Sequence, residues 1–284
     1  MAWKPRSVAE QRRDDRAEWG LPINYSLTDE ATLAASRLDH VGMALPPRKI
    51  KTSESVAQDI VRDIVAERLR VGDRLPAEND MLDLYGVSRG SLREALRLLE
   101  VQGFITLRRG PGGGPVLNAV DPGNLGRTAA LYFHLAGATY NELLDVYVPL
   151  SAQLAVDVAR LEDRCRVTSA LKPFVEGFEA ETEPLRFMRV NNGFHAVLAE
   201  LAHNRVFTLL LQAVGHIWVS HILLDLNPTA LRHNIVDAHQ EIARAISAGH
   251  SVKSGRLMRE HDDEVIAYCR DHWPDRLTEL VEWR

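Results

Sequence analysis

The chain has 284 residues, of which 45% are hydrophobic and 26% charged, and its formal net charge is −5. This balance is typical of a soluble globular protein and argues against a disordered one, and the length predicts two folded units. No apolar run approaches the roughly 20 residues that span a bilayer, and the N-terminal segment lacks a secretory signal, so we expect a cytoplasmic protein without a membrane partner.

Cys165 and Cys269 are too few for a disulfide framework, and both are predicted to be buried and reduced.

The distribution of charge matters more than its sum. The acidic excess lies in the C-terminal part of the chain. Between residues 88 and 109, five arginines accompany only two glutamates; they are Arg89, Arg93, Arg97, Arg108 and Arg109, with Glu94 and Glu100. Such a local basic patch favours an anionic partner.

The first 50 residues show no sustained period and are predicted to form an extension. The first helix is predicted over 53–69, where apolar side chains recur at helical spacing; they are Val56, Ile60, Ile64, Val65 and Leu69. A turn is expected at Gly72 and Asp73.

A helix-turn-helix is predicted next. The second helix should cover 78–85 and end at Gly86, and Ser88 is placed to cap a third helix that runs to Gly103. Two short extended segments, 104–107 and 115–117, flank a glycine-rich turn and predict a β-hairpin. Three helices and a hairpin form a winged helix-turn-helix, predicted over residues 51–119.

The rest of the chain is predicted to be all-helical, which makes the fold mainly α. A linker is expected over 120–126, followed by a second domain over 127–284. Its helices are predicted over 127–136, 140–160, 163–181, 184–202, 205–224, 229–248 and 252–271, before a short tail. With no strand pattern or repeat, an antiparallel helical bundle is the natural arrangement.

The third helix has the chemistry of a DNA-reading helix. Its first turn presents free backbone N–H groups and arginines, which can contact phosphates and guanine edges in the major groove. Leu92, Leu96 and Leu99 form the opposite stripe, predicted to be buried.

These segments closely resemble the N-terminal signature of the GntR family of regulators. The resemblance lies in the sequence GDRLPAE over 72–78, the turn GVSR over 86–89, LREAL over 92–96, and Glu100 three residues before Gly103. It implies operator contacts from Ser88, Arg89, Ser91 and Arg93, and minor-groove contacts from Arg109 and Gly110 at the wing tip.

Asn79 and Glu94 lie near these predicted contacts in the sequence. Asn79 stands where relatives often carry a DNA-binding arginine, so the resemblance implies a lost contact or a weaker hydrogen bond there. For Glu94, pairing with Arg97 or a neighbouring helix is expected rather than reading of a cytosine.

The second half resembles the FCD-type effector domain of the FadR-like branch. The resemblance is carried by NNGFH over 191–195, by AHQEI over 238–242 and by MREH over 258–261. It implies a metal site formed by Asn191, His195, His239 and His261. Asn191 and His195 share one helical face, and three imidazoles suit zinc, nickel or another divalent ion. The alternative is that the histidines hydrogen-bond within a polar cavity. An asparagine in place of the aspartate of many relatives should weaken metal binding.

The first effector-domain helix also departs from the family. Relatives commonly carry an arginine near Tyr147 and a glutamate near Ser151. The effector is therefore expected to be a small carboxylate or a larger, less acidic acyl compound, with Tyr147 and His216 as candidate contacts.

Together these features predict a ligand-responsive transcription repressor. It would bind double-stranded operator DNA as a homodimer, since helix-turn-helix proteins usually read two symmetric half-sites, and it would not be an enzyme. Two alternatives stay open: a metalloenzyme with an appended DNA-binding domain, which would turn over candidate acids, and an unregulated architectural DNA binder, which would show sequence-independent, salt-dependent affinity.

Overall fold

The computed structural model describes residues 52–110, 113–176, 184–226 and 229–284, so the predicted extension over 1–50 lies outside the described residues. The chain divides by its internal contacts into two units, one ending at Val120 and the other beginning at Asp121.

The N-terminal unit contains three helices followed by a two-stranded hairpin. They are α1 (Thr52–Ala66), α2 (Glu78–Tyr85), α3 (Arg89–Val101), β1 (Ile105–Arg108) and β2 (Gly114–Leu117). The strands are antiparallel, with Ile105 opposite Leu117. The predicted winged helix-turn-helix is confirmed.

Helix α1 ends earlier than predicted. The chain leaves the helix after Ala66, and Arg68 adopts a left-handed conformation with φ of 54°. The N–H of Leu69 then donates to the carbonyl of Ile64 at 3.1 Å, as in a Schellman turn. Val65, predicted to face the core, is 71% exposed.

The turn between α2 and α3 forms as its residues predict. Gly86 adopts φ of 63° and its N–H donates to the carbonyl of Leu82, which ends α2. Ser88 then caps α3, because its hydroxyl accepts a hydrogen bond from the N–H of Ser91 at 3.2 Å. These local bonds satisfy polar groups that a helix end leaves unpaired.

One apolar core orients α3. Its buried residues include Ile60, Met81, Leu92, Leu96, Leu99 and Ile105. Glu100 ties this helix to the hairpin, since its carboxylate accepts from the N–H of Leu107 at 3.2 Å. The predicted buried leucine stripe is confirmed, and it leaves the opposite face of α3 exposed.

The C-terminal unit is a bundle of helices. They are α4 (Pro122–Leu135), α5 (Tyr140–Ala159), α6 (Arg164–Val175), α7 (Pro184–Leu201), α8 (Arg205–Trp218), α9 (Arg232–Ser247) and α10 (Ser251–His272). Helix α8 continues through a π-helical turn, Val219–Leu223, and a last turn, Leu224–Leu226.

The prediction of a linker over 120–126 is wrong for most of this segment. Helix α4 already begins at Pro122, because proline fits the first turn of a helix and the Asp121 carboxylate accepts from the N–H of Gly123 at 2.9 Å. Gly123 and Gly126, both within the predicted linker, are buried. A side chain at Gly126 would place its Cβ 2.7 Å from the carbonyl oxygen of Ala213, so the glycine permits close contact between α4 and α8.

Helices α5 and α10 pack closely at the centre of the bundle. Gly255 makes this possible, because a Cβ there would lie 2.5 Å from a methyl carbon of Val156. Thr139 and Glu142 form a reciprocal capping box at the start of α5. Arg164 donates to the carbonyls of Ala159 and Ser247, at 3.1 and 2.7 Å, and so fastens the ends of α5 and α9.

One described helical segment, Arg205–Leu226, is long and apolar enough to cross a membrane by length and composition. It packs against α4 and α5 within the bundle, and its buried residues include Leu211, Ile217 and Trp218. Its apolar character is thus accounted for by the core of the helical unit.

The two cysteines differ from each other. Cys269 is buried as predicted, whereas Cys165 is exposed near the start of α6, which corrects the prediction for that residue. Amphipathic helices place neighbouring residues on different faces, so burial does not follow from residue type alone.

The chain after α10 folds back onto the bundle. Buried Arg276 donates to the Glu282 carboxylate at 3.0 Å and to the carbonyl of His221 at 3.3 Å. The hydroxyl of Tyr140 accepts from the N–H of Glu282 and lies 3.1 Å from Nδ1 of His221. This tail therefore fastens the π-helical turn to the start of α5.

Candidate functional site

The exposed face of α3 carries the residues predicted to read DNA. Ser88, Arg89 and Arg93 are exposed, and Ser91 is half-buried. The Arg89 guanidinium donates to the side-chain oxygen of Asn79 at 3.2 Å. Asn79, where relatives often carry an arginine, thus contacts a cationic side chain of the next helix.

The second arginine is also held by α2. Nε of Arg93 lies 3.1 Å from a carboxylate oxygen of Glu78, with 67% and 36% of the two side chains exposed. Arg97 pairs with Glu100 at 2.6 Å, which corrects the first of the two partners expected for Glu94. Hydrogen bonds from Arg97 and from the Leu107 backbone hold the pKa of Glu100 below its ordinary value.

The hairpin turn presents the predicted wing residues. Arg109 and Gly110 are exposed, and Gly110 adopts φ of 93°, which favours glycine. The N–H of Gly113 donates to the carbonyl of Gly110 at 2.9 Å, and a Cβ at Gly113 would lie 2.3 Å from the Arg108 carbonyl oxygen. Glycine is therefore required at this point of the turn.

In the helical unit, three histidines from three helices meet. His195 of α7, His239 of α9 and His261 of α10 offer nitrogens that all lie within 4.8 Å of one another. The Nε2 atoms of His239 and His261 are 3.2 Å apart. Phe194 stacks on His239, with ring centroids 4.1 Å apart, and so helps to fix that ring.

This donor set fits a divalent transition metal. Two nitrogens that bind one zinc ion at about 2.1 Å lie about 3.4 Å apart at a tetrahedral angle, close to the spacing between His239 and His261. Burial lowers the pKa of His195 to about 4 and that of His261 to about 3, so both imidazoles are neutral at pH 7 and keep a lone pair. Nδ1 of His239 is buried without a hydrogen-bond partner.

A cavity of about 280 Å³ opens beside the histidines. His195 and His261 line it, together with Asn191, Tyr147 and His216, three further residues predicted to bind metal or effector, whereas His239 does not line it. Pockets that bind small molecules are typically of about 300 Å³ or more. The cavity therefore suits a small ligand.

Two polar cavity residues were not assigned by the sequence. Asp262 is 6% exposed and its Oδ2 has no hydrogen-bond partner, and Ser151 is buried beside it. Burial raises the pKa of Asp262 to about 8, while a hydrogen bond with Ser151 acts in the opposite direction. An acidic residue within the apolar repeat of Met258, Val265 and Cys269 was the available signal.

The cavity also reaches the first residues of the helical unit. Asp121, Pro122 and Gly123 line it. The ring of His216 lies against Gly123, where an added Cβ would be 3.1 Å from the ring. A ligand in the cavity would therefore contact the segment that directly follows the N-terminal unit in the chain.

Family models match both units. The model described as "Bacterial regulatory proteins, gntR family" matches residues 52–113, and the model "FCD domain" matches residues 131–264. A solved structure, the GntR protein of Streptococcus agalactiae, has a similar fold, with a TM-score of 0.53 at 18% identity over 76% of this chain and 99% of that one.

Curated relatives agree with these models. The transcriptional repressor NanR of Cronobacter sakazakii is 25% identical over 81% of this chain and 90% of its own length. The Glc operon transcriptional activator of Escherichia coli K12 is 28% identical over 61% of this chain and 70% of its own length. These are transcription regulators, not enzymes. The chain therefore belongs to the GntR family of bacterial DNA-binding transcription regulators and carries an FCD domain.

Proposed function

We propose that this regulator is a homodimeric repressor that releases its operator when a small carboxylate or acyl metabolite binds in the cavity of the helical unit. The observation that carries the proposal is the cavity of about 280 Å³ with His195 and His261 in its wall. The winged helix-turn-helix of residues 51–119 is the operator-binding domain, and the helical domain that follows is the sensor.

In this proposal the exposed face of α3 reads the operator. Ser88, Arg89, Ser91 and Arg93 contact the major groove, and Arg109 and Gly110 reach the minor groove. Asn79 acts by orienting Arg89, with which it shares a hydrogen bond of 3.2 Å. Arginine suits this role because its planar guanidinium matches the acceptor pair of guanine and the oxygens of phosphate.

His195, His239 and His261, with Asn191 one turn before His195, would hold a zinc or nickel ion. The metal would supply an electrophilic centre for a ligand carboxylate. The neutral state and close spacing of the imidazoles support this assignment. Tyr147 and His216 line the same cavity and would contact the effector.

The contact between His216 and Gly123 supports a route from ligand to DNA. An effector that displaces His216 would shift the start of α4, immediately after Val120. A coupling of about 1–3 kcal/mol would change operator affinity by about 5- to 150-fold. The sign of regulation follows the relative aligned over the larger share of the chain, which is named a repressor.

A second copy of the chain has an apolar surface available on α4 and α8. Tyr132 and Leu135 of α4 are 69% and 75% exposed, and Val206 and Leu210 of α8 are 70% and 52% exposed. These helices pack antiparallel, which brings the four side chains to one end of the pair. Exposed apolar patches mark association surfaces. Sedimentation equilibrium should therefore give twice the chain mass, and Leu135→Glu with Val206→Glu should give the monomer.

The central experiment combines metal and effector binding. Protein purified without chelator should carry about one equivalent of zinc or nickel by elemental analysis, and His239→Ala should lose it. His233→Ala is the matched control, because His233 is exposed on the same helix. A panel of small acids is then tested for release of a duplex selected from a random DNA library. If no acid alters DNA binding by the metal-loaded protein, the sensor function is wrong.

A further inference from the structure

We propose that the cavity selects its effector through Asp262, which accepts a hydrogen bond from an ammonium or hydroxyl group on a small carboxylic acid. This inference rests on the proposed function, since it assigns the class of effector bound at that site. The new element is that the effector must carry a hydrogen-bond donor in addition to its carboxylic acid.

The hydrogen bond with Ser151 leaves one carboxyl oxygen of buried Asp262 unpaired. Its side chain lies in the wall of the cavity, only 6% exposed, and its Oδ2 has no hydrogen-bond partner. A buried carboxyl oxygen without a hydrogen bond destabilises a fold, and an aliphatic residue in its place would pack without that cost. A polar group that weakens the fold but faces a cavity is the expected arrangement for binding a ligand.

The charge of the cavity wall points to the same class of ligand. None of the described residues that line the cavity is an arginine or a lysine. Of the charged groups acting on Asp262, Arg259 and Asp263 are exposed on the same helix. A second carboxylate on the ligand would therefore share a single proton with Asp262 and have no arginine or lysine to neutralise the pair, whereas an ammonium or hydroxyl would satisfy the unpaired oxygen.

The position of Asp262 allows both ends of such a ligand to be bound together. Asp262 directly follows His261, which faces the same cavity and belongs to the histidine cluster. Ser151 and Tyr147, one turn apart on α5, complete the polar wall next to the carboxyl. An acid held at the histidines thus has its donor group within the same small space as Asp262.

The test is a matched series of straight-chain acids of three to eight carbons, each as the unsubstituted acid, its amino derivatives, its hydroxy derivatives and the dicarboxylic acid. Affinities are measured by calorimetry on the full-length protein with its metal. We expect at least one amino or hydroxy acid to bind about tenfold or more tightly than its unsubstituted counterpart, as a hydrogen bond to a charged group allows. The amino and hydroxy arms identify which donor is preferred.

Asp262→Asn keeps the size of the side chain and replaces one carboxyl oxygen with an amide NH2, which cannot accept a hydrogen bond. It should reduce the preference for the donor-bearing acid to about threefold or less while affinity for the unsubstituted acid changes little. Asp263→Asn is the matched control, because it makes the same replacement at an exposed neighbour, and it should keep the wild-type preference.

The outcomes separate this inference from the proposed function. If the wild-type protein binds unsubstituted or dicarboxylic acids as tightly as the donor-bearing ones, the role of Asp262 is wrong although the effector site stands. This comparison needs no variant, so it holds even if Asp262→Asn fails to fold. If no acid of the series binds at all, the proposed function fails together with it.

Discussion

Replacing Arg93 with alanine separates DNA recognition from folding. Arg93 pairs with Glu78 at 3.1 Å, with 67% and 36% of the two side chains exposed. An ion pair this open to solvent contributes about 0–1 kcal/mol to stability. Arg93→Ala should therefore lower the free energy of unfolding by less than about 1 kcal/mol.

The effect on DNA binding should be larger. Loss of an arginine that contacts a base or phosphate costs about 1–3 kcal/mol, which raises the dissociation constant by about 5- to 150-fold. Glu78→Gln should act in the opposite direction, since it removes a carboxylate that competes with DNA for the guanidinium. The expected gain is up to about fivefold, the value of the ion pair itself.

Fluorescence anisotropy with a duplex selected from a random library measures these constants, and urea denaturation measures stability. Arg256→Ala is the matched control, because Arg256 forms an exposed pair with Glu260 in the helical unit, and it should leave DNA affinity unchanged. The assignment of Arg93 is refuted if its alanine variant binds the duplex like wild type. It is also refuted if the loss of affinity is matched by a comparable loss of stability.

Three further predictions concern the helical unit. Gly126→Ala should lower the melting temperature, because its Cβ would lie 2.7 Å from a backbone carbonyl oxygen of α8 and overpacking costs about 1–3 kcal/mol. Gly193→Ala is the control and should not lower it, because there is open space around Gly193. Burial lowers the pKa of His221 to about 4, so between pH 6.5 and 4 the unfolded chain binds more protons at this site and stability falls as pH falls. In urea titrations, the free energy of unfolding of His221→Asn should change with pH less steeply than that of wild type, by up to about 1.4 kcal/mol per pH unit. Equal slopes would contradict this. A thiol reagent should modify exposed Cys165 quickly, whereas buried Cys269 should react only on unfolding, since burial also raises its pKa to about 12. Simultaneous reaction of both thiols in the native protein would be inconsistent with the fold.

Ring contacts fix the positions of the imidazoles in the histidine cluster. Phe194 stacks on the His239 ring and His261 makes an edge contact with it, so the nitrogens are pre-positioned before any ligand enters. Pre-organisation of this kind lowers the ordering that binding would otherwise require. His195 and His261 face the cavity.

The local turns were predictable from the sequence because their determinants are neighbours in the chain. Gly86 takes the left-handed conformation and Ser88 caps the next helix, and each property belongs to the residue type. The amphipathic period of α3 likewise predicted its buried leucines. The identity of the four candidate metal-binding residues follows from the family resemblance, which the sequence alone carries.

Tertiary packing decided the rest. Residues 120–126 looked like a linker, but their glycines allow α4 to lie against α8, which no local pattern reveals. Cys165 is exposed because of the face of α6 on which it lies. The 3.2 Å spacing of two imidazoles and the unpaired oxygen of Asp262 depend on how α5, α7, α9 and α10 come together, and contacts between residues distant in sequence are set by the packing of whole helices.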